Sequence, residues 1–202
     1  MRSFKIEGII LKRRNLGEAD QILTVFSLQK GKISVLGKGV RRITSRRSGN
    51  VELLNRVSMY LHQAKTFLIL TEASSLDTFQ KIKNDLTLST YAYHVIELID
   101  KLTAENQENR ILYEYLIQVL KRLERKPRQI LIRAFEVKIL VYLGFITFEE
   151  ELLKKLETYS WDEIEKIQVS EKQAMELERV LRYHLERVIE GQLKSRRFLK
   201  KI

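Results

Sequence analysis

Apolar and polar positions alternate along this chain with two different periods, and the change falls near residue 75. Before it the apolar runs are short and bounded by glycine: Phe4 to Leu11, Gln21 to Leu28, Lys32 to Leu36, Val57 to Leu61 and Phe67 to Leu70. In the fourth run Val57, Met59 and Leu61 alternate with Ser58 and Tyr60, the period-2 pattern of a strand with one face in a core. None of the five has the length or the i, i+3, i+4 spacing of a helix. Six of the eight glycines (8, 17, 31, 37, 39 and 49) lie in this stretch, where Gly17-Glu18-Ala19-Asp20 and Lys30-Gly31-Lys32 read as turns and the others permit bulges or tight bends. Five such strands predict a five-stranded β-barrel of the OB type over residues 1–75.

Beyond residue 76 glycine almost disappears and the spacing becomes helical. Ala174, Leu177, Leu181, Leu185 and Val188 fall on one stripe, as do Ile130, Ala134, Val137 and Leu140 with Phe135 beside them. Thr147-Phe148-Glu149-Glu150, Ser160-Trp161-Asp162-Glu163 and Ser170-Glu171-Lys172-Gln173 each have the form of a capping box. Pro127 can open a helix, and Gly144 and Gly191 can close one. The pattern predicts helices near 77–102 (broken near Asn84-Asp85), 107–125, 128–143, 148–158, 161–167 and 171–190. The fold class is therefore α+β, a barrel at 1–75 followed by an all-helical domain at 76–202 with a basic C-terminal tail.

Charge separates the two parts further. Of the net +11, residues 1–75 carry 14 Lys/Arg against 5 Asp/Glu, a net of +9; residues 76–193 carry 18 against 21; the last nine residues add five cations and no acid. A high isoelectric point serving solubility alone would spread the excess evenly. The densest cluster is Gly37-Lys38-Gly39-Val40-Arg41-Arg42-Ile43-Thr44-Ser45-Arg46-Arg47, a loop between strands in which five cations meet no acid before Glu52. Their mutual repulsion is uncompensated unless an anion is bound, which points to a polyanion. Lys12, Arg13 and Arg14 at the end of the first strand, with Lys30 and Lys32 at the next hairpin, extend the same face. Lys194, Arg196 and Arg197 either add to it or serve the carboxyl end of the last helix.

The chain offers little for catalysis. With no cysteine there is no disulfide, thiolate zinc site or cysteine nucleophile. Neither Lys30-Gly31-Lys32 nor Gly37-Lys38-Gly39 matches the spacing of a phosphate-cradling nucleotide loop. Glu18 with Asp20, and Asp162 with Glu163, read as turn and cap residues before metal ligands, and His62, His94 and His184 read as packing histidines. Phe4, Phe26, Tyr60 and Phe67 mostly occupy alternating positions that suit a core, so backbone electrostatics should outweigh base stacking. No catalytic residue, cofactor or metal is expected. No apolar run approaches a membrane span and the N-terminus lacks the features of a secretory signal, so a cytoplasmic location without membrane partners is expected, nucleoid-associated if the polyanion is DNA.

The ordered segments Glu7-Gly8-Ile9-Ile10-Leu11-Lys12, Gly17-Glu18-Ala19-Asp20-Gln21-Ile22-Leu23-Thr24, Gly31-Lys32 and Lys38-Gly39-Val40-Arg41-Arg42 resemble the N-terminal pattern of the RecO family of bacterial recombination mediators. Arg133-Ala134-Phe135-Glu136-Val137-Lys138-Ile139-Leu140 with Leu143-Gly144, and Leu193-Lys194-Ser195-Arg196-Arg197-Phe198-Leu199, resemble its helical core and C-terminal signature. The resemblance implies an OB-fold and a helical domain in a non-enzymatic DNA repair and recombination protein. Such a protein binds single- and double-stranded DNA, anneals complementary strands and helps RecA load onto DNA coated with single-strand binding protein, with RecR and that protein as partners. Members often carry a cysteine zinc site after the segment matching Leu143-Gly144; here only the helical stretch 147–170 fills that interval, and zinc is not expected. For the acidic tail of single-strand binding protein, a groove with Lys121, Arg122, Arg125 or Arg133 is the candidate.

The DNA-binding residues expected are Lys12, Arg13, Arg14, Lys32, Lys38, Arg41, Arg42, Arg46, Arg47, Lys194, Arg196 and Arg197. Alanine at 41, 42, 46 and 47 is expected to abolish binding and leave unfolding nearly unchanged. An RNA-binding OB protein and a metal-dependent nuclease remain alternatives, separable by RNA competition and by cleavage in magnesium or manganese.

Overall fold

The computed structural model describes residues 3–189 together with Leu193 and Ser195. Its strands β1 (Ser3–Leu16), β2 (Asp20–Ser27), β3 (Gly31–Gly37), β4 (Arg56–Gln63) and β5 (Leu68–Asp77) close a barrel in the order β1-β2-β3-β5-β4. Pairing is antiparallel except between β3 and β5, which run parallel with Val35 opposite Leu68 and Leu36 opposite Ile69. Ile6, Ile10, Leu23, Val25, Ile33, Val35, Val57, Met59, Leu61 and Leu70 fill the interior, and each strand pairs with a neighbour on both sides, β3 with β5 over two residue pairs only. This is the five-stranded barrel that the alternation predicts.

Two strands run longer than their apolar pattern. A bulge between Ile10 and Lys12 lets β1 leave the barrel wall and continue as an arm on β2, with Lys12 opposite Thr24, Arg13 opposite Leu23 and Arg14 opposite Ile22. β5 likewise continues through Thr71-Glu72-Ala73-Ser74-Ser75 to Asp77 by pairing with β4. Backbone ladders hold both extensions, so side-chain hydropathy carries no sign of them.

By its contacts the chain divides into Met1–Gln80 with Thr103–Tyr113, and Lys81–Leu102 with Glu114–Ile202. The return of 103–113 to the barrel is mediated by backbone: Lys32 bridges Glu105, and the Asn106 amide donates to the Lys32 carbonyl at 2.8 Å. Gly31 makes room for it, since a Cβ there would stand 1.7 Å from the Gln107 carbonyl oxygen. At the other end of the segment, the Tyr113 hydroxyl donates to Glu7 at 2.9 Å, and its ring packs on Phe26. Arg56 joins Glu7 and Asp77, both at 2.8 Å. Burial, followed by the Glu7 charge, pushes the Tyr113 phenol above its ordinary range.

Seven helices are described: α1 (Gln80–Asn84), α2 (Leu86–Leu102), α3 (Arg110–Arg125), α4 (Gln129–Tyr142), α5 (Glu151–Thr158), α6 (Trp161–Ile164) and α7 (Glu171–Ile189). The expected break near Asn84-Asp85 is present: Asp85 caps α2, its carboxylate accepting from the Leu88 amide at 2.9 Å. Asn109 caps α3 in the same way, which moves its start from 107 to 110. The Ser160 and Ser170 capping boxes form. The Thr147 box does not, because α5 begins only after Glu150 and has no side-chain cap. Pro127 precedes α4 outside its first turn, with Arg128 at the cap. Gly144, at φ +75°, closes α4 in a Schellman motif through Gly144 to Val141 and Phe145 to Leu140. Gly191 lies outside the described residues.

α4 is buried on every side from Ile130 to Leu140 and packs against α2, α5, α6 and α7. The apolar stripe read from the sequence is only part of it. Arg133, Glu136 and Lys138, polar positions outside that stripe, are internal as well. Glu136 accepts from Arg133 at 2.9 Å and lies 2.7 Å from His94 Nε2, while His94 Nδ1 meets the Ser195 hydroxyl at 3.1 Å. Lys138 reaches the Glu157 and Tyr159 carbonyls at the end of α5. Burial of charge is thus compensated by pairing and hydrogen bonds.

Candidate nucleic-acid interface

The basic loop between β3 and β4 is a folded structure with its own apolar anchors. Val40 and Val51 enter the barrel core, each 1% exposed. A series of turns lies between them, with Arg42 donating to Gly39, Ser45 to Arg42 and Asn50 to Arg47 through the main chain. The loop is also tied to the β1–β2 turn: the Arg41 amide donates to the Ala19 carbonyl at 2.9 Å, and the Gly39 amide to Asp20 Oδ1 at 2.7 Å.

Its five cations are not equivalent. Arg47 is half-buried and spends its guanidinium on carbonyls, Nη1 on Leu70 at 2.7 Å and Nη2 on Lys38 at 2.8 Å. Arg41 is exposed and gives one donor to the Gly17 carbonyl at 3.0 Å. Lys38, Arg42 and Arg46 are exposed, as are Arg13 and Arg14, and among the described residues no acid or carbonyl holds any of these five side chains. Lys12 is exposed as well.

Two concavities collect these charges. One, of about 560 Å³, is lined by Asp20, Lys38, Arg42, Ser45 and Arg46 among others; the Ser45 hydroxyl is sequestered there without a hydrogen-bond partner. The other, of about 500 Å³, is lined by Lys12, Arg13, Arg14, Ile22, Thr24 and Ser34. Lys12, Thr24 and Ser34 stand in register across β1, β2 and β3. Both concavities border the start of β2, through Asp20 in one and Ile22 in the other. Potential focused in a concave basic surface attracts anions more strongly than the same charges on a plane.

Several sequence-based expectations need correction. Lys32 is 9% exposed, because its strand position is covered by the Glu105-Asn106 backbone, so its ammonium is not displayed with the others. Arg133 is buried against Glu136 and carries a weaker contact to Glu178 at 3.6 Å. It therefore lies inside its unit, 7% exposed, rather than lining an open groove. Arg122 is partly buried and pairs with Asp162 and Glu165; Arg125, which pairs with Glu165, and Lys121 are both exposed. Lys194, Arg196 and Arg197 lie outside the described residues.

Phe26 is core, whereas Tyr60 and Phe67 are exposed, and Lys5 lies over the Tyr60 ring at 5.8 Å. His62 and His184 are partly buried packing residues, the latter edge-on to Phe148 and Tyr183. Burial, with Arg187 nearby, holds the His184 imidazole below its ordinary range. Among the described residues no three His, Asp or Glu side chains converge as a metal site, and no helix is long and apolar enough to cross a membrane. Sequence reasoning passed over Ser45, although it adjoins Arg46; Thr24 and Ser34, which become neighbours of the cations only through register; and Ile43, a lone apolar residue between Arg42 and Thr44.

Two family models match, described as Recombination protein O N terminal over residues 1–79 and Recombination protein O C terminal over 83–147. Among similar proteins, DNA repair protein RecO of Acetivibrio thermocellus is 35% identical over 157 residues, covering 76% of this chain and 62% of that one. Its namesake in Pelotomaculum thermopropionicum is 33% identical over 145 residues, covering 72% and 57%. The chain thus aligns with about 60% of the length of these curated relatives. A third, from Desulforamulus reducens, is 27% identical over 245 positions, covering all of this chain and 96% of the relative. With 202 residues here, at least 43 of those 245 positions have no counterpart in this chain.

Proposed function

Since this chain belongs to the RecO family of DNA repair proteins, we propose that it binds single- and double-stranded DNA through its barrel and anneals complementary strands by charge neutralisation, without catalysis. The observation that carries this reading is the set of exposed, unpaired cations Arg13, Arg14, Lys38, Arg42 and Arg46 around two concavities of one barrel. Two strands approaching each other repel through their phosphates. A cationic face that holds one or both lowers that repulsion, and base pairing then supplies the driving force. Residues 1–75 are the nucleic-acid-binding domain in this proposal, with Lys12 and Arg41 as flanking contacts.

In the same proposal the protein helps RecA load onto DNA coated with single-strand binding protein, with RecR and that protein as its partners in the bacterial cytoplasm. An acidic protein tail would meet Lys121 and Arg125 first, and would compete with Glu165 for Arg125.

Titration of binding to a single-stranded oligonucleotide at several salt concentrations tests the reading. Five neutralised phosphates give a log–log salt slope of about −3.5, and alanine at Lys38, Arg42 and Arg46 together should reduce its magnitude by about 2. An unchanged slope in that variant would remove the proposed face. Direct RNA competition, and incubation of the DNA in magnesium, separate this reading from an RNA binder and from a nuclease.

A further inference from the structure

Ile43 is 105% exposed, more open than any other large hydrophobic residue described. Singly exposed aliphatic side chains are ordinary on protein surfaces, but this one has an unusual setting. It occupies a central position of the turn closed by the Ser45 amide on the Arg42 carbonyl, where polar residues and glycine are usual. The loop beneath it is braced by Arg47 on Leu70 and Lys38, by Arg41 on Gly17 and Ala19, and by Val40 and Val51 in the core. Exposed Arg41, Arg42 and Arg46 surround it in the sequence. A β-branched side chain has few rotamers, so it is presented as a stiff projection.

We propose that Ile43 is an apolar wedge that enters between adjacent bases of a DNA strand whose phosphates are held by Lys38, Arg42 and Arg46. This deepens the nucleic-acid reading and rests on it. An aliphatic residue amid cations gains apolar contact with base faces only after the backbone has been drawn in, and opening one stacked step is what such wedges do in other DNA-bound proteins. A separated base presents its pairing edge, which suits a strand about to meet its complement. An anionic lipid surface offers the same charge complementarity. However, one aliphatic side chain anchors weakly in a bilayer, whereas one suffices to open a base step.

The test uses the full chain and oligonucleotides carrying 2-aminopurine, whose fluorescence rises on unstacking. Wild type should raise that fluorescence on binding. Ile43→Ala should lose most of the rise and bind about tenfold more weakly, the scale of the aliphatic surface it no longer buries, with the salt slope unchanged because no charge is removed. Ile43→Leu should keep both signals. Ile43→Lys should steepen the slope by about 0.7 and still lose the fluorescence rise. Salt-sensitive binding by wild type with silent 2-aminopurine, or an Ile43→Ala protein equal to wild type, overturns the wedge and leaves the electrostatic reading standing. Absence of wild-type binding removes both. Loss of binding to anionic phospholipid vesicles in Ile43→Ala, with DNA signals intact, assigns the residue to lipid and overturns the proposal.

Discussion

Arg47 Nη2 donates to the main-chain carbonyl of Lys38 at 2.8 Å, so the loop's last arginine holds in place the backbone of its first cation. The other guanidinium nitrogen reaches Leu70 on β5 at 2.7 Å. Arg47→Ala is therefore expected to lower stability by about 2 kcal/mol, the scale of a lost charged donor, whereas Arg46→Ala should leave unfolding unchanged and weaken only DNA binding. Urea unfolding of the two variants side by side checks the difference. This revises the expectation that all four loop arginines are dispensable for folding.

Acid should weaken the helical unit through Glu136. Its burial favours the neutral acid, but the Arg133 charge and the His94 hydrogen bond outweigh that and hold the carboxyl near a pKa of about 2. A folded-state value depressed below the ordinary 4.5 contributes stability that is complete above about pH 4.5 and is lost as pH falls toward 2. The thermal midpoint measured from pH 6 to pH 2 should drop across that window. In Glu136→Gln, which cannot ionise, the drop should be shallower from a lower starting value.

Gly31 and Gly17 both have positive φ, +62° and +59°, yet only Gly31 faces backbone, 1.7 Å from where its Cβ would lie. Gly17→Ala should cost about 1 kcal/mol, the conformational term alone. Gly31→Ala should cost several times that amount and release 103–113, seen as faster amide exchange at Asn106. Equal destabilisation of the two variants would contradict this account of the return segment.

Tyr113→Phe removes the hydroxyl that donates to Glu7 but keeps the ring on Phe26. A loss of about 1 kcal/mol in chemical unfolding is expected, because Arg56 continues to satisfy the carboxylate.

Much of the barrel was legible in the sequence because one face of each strand is apolar, and its turns fell at glycines. Lys12-Arg13-Arg14 as strand, and Thr71 to Asp77, were not, since main-chain pairing rather than hydropathy holds them. α4 shows the limit from the other direction: Arg133, expected in an accessible groove, is buried with Glu136, and His94, far away in sequence, supplies a further partner that allows that burial. Within the candidate site, the basic loop was visible by charge alone. The separation of Arg47 and Lys32 from the displayed cations was not, because it depends on which carbonyl or backbone segment each meets after folding.

The central claim is that a displayed cationic face, rather than the protein's overall charge, brings strands together. The most direct measurement is the rate at which two complementary oligonucleotides coated with the cognate single-strand binding protein become duplex, with wild type and with Lys38, Arg42 and Arg46 all changed to alanine. The account predicts acceleration by wild type and almost none by the variant, with equal thermal midpoints. A variant that anneals as fast as wild type would contradict it.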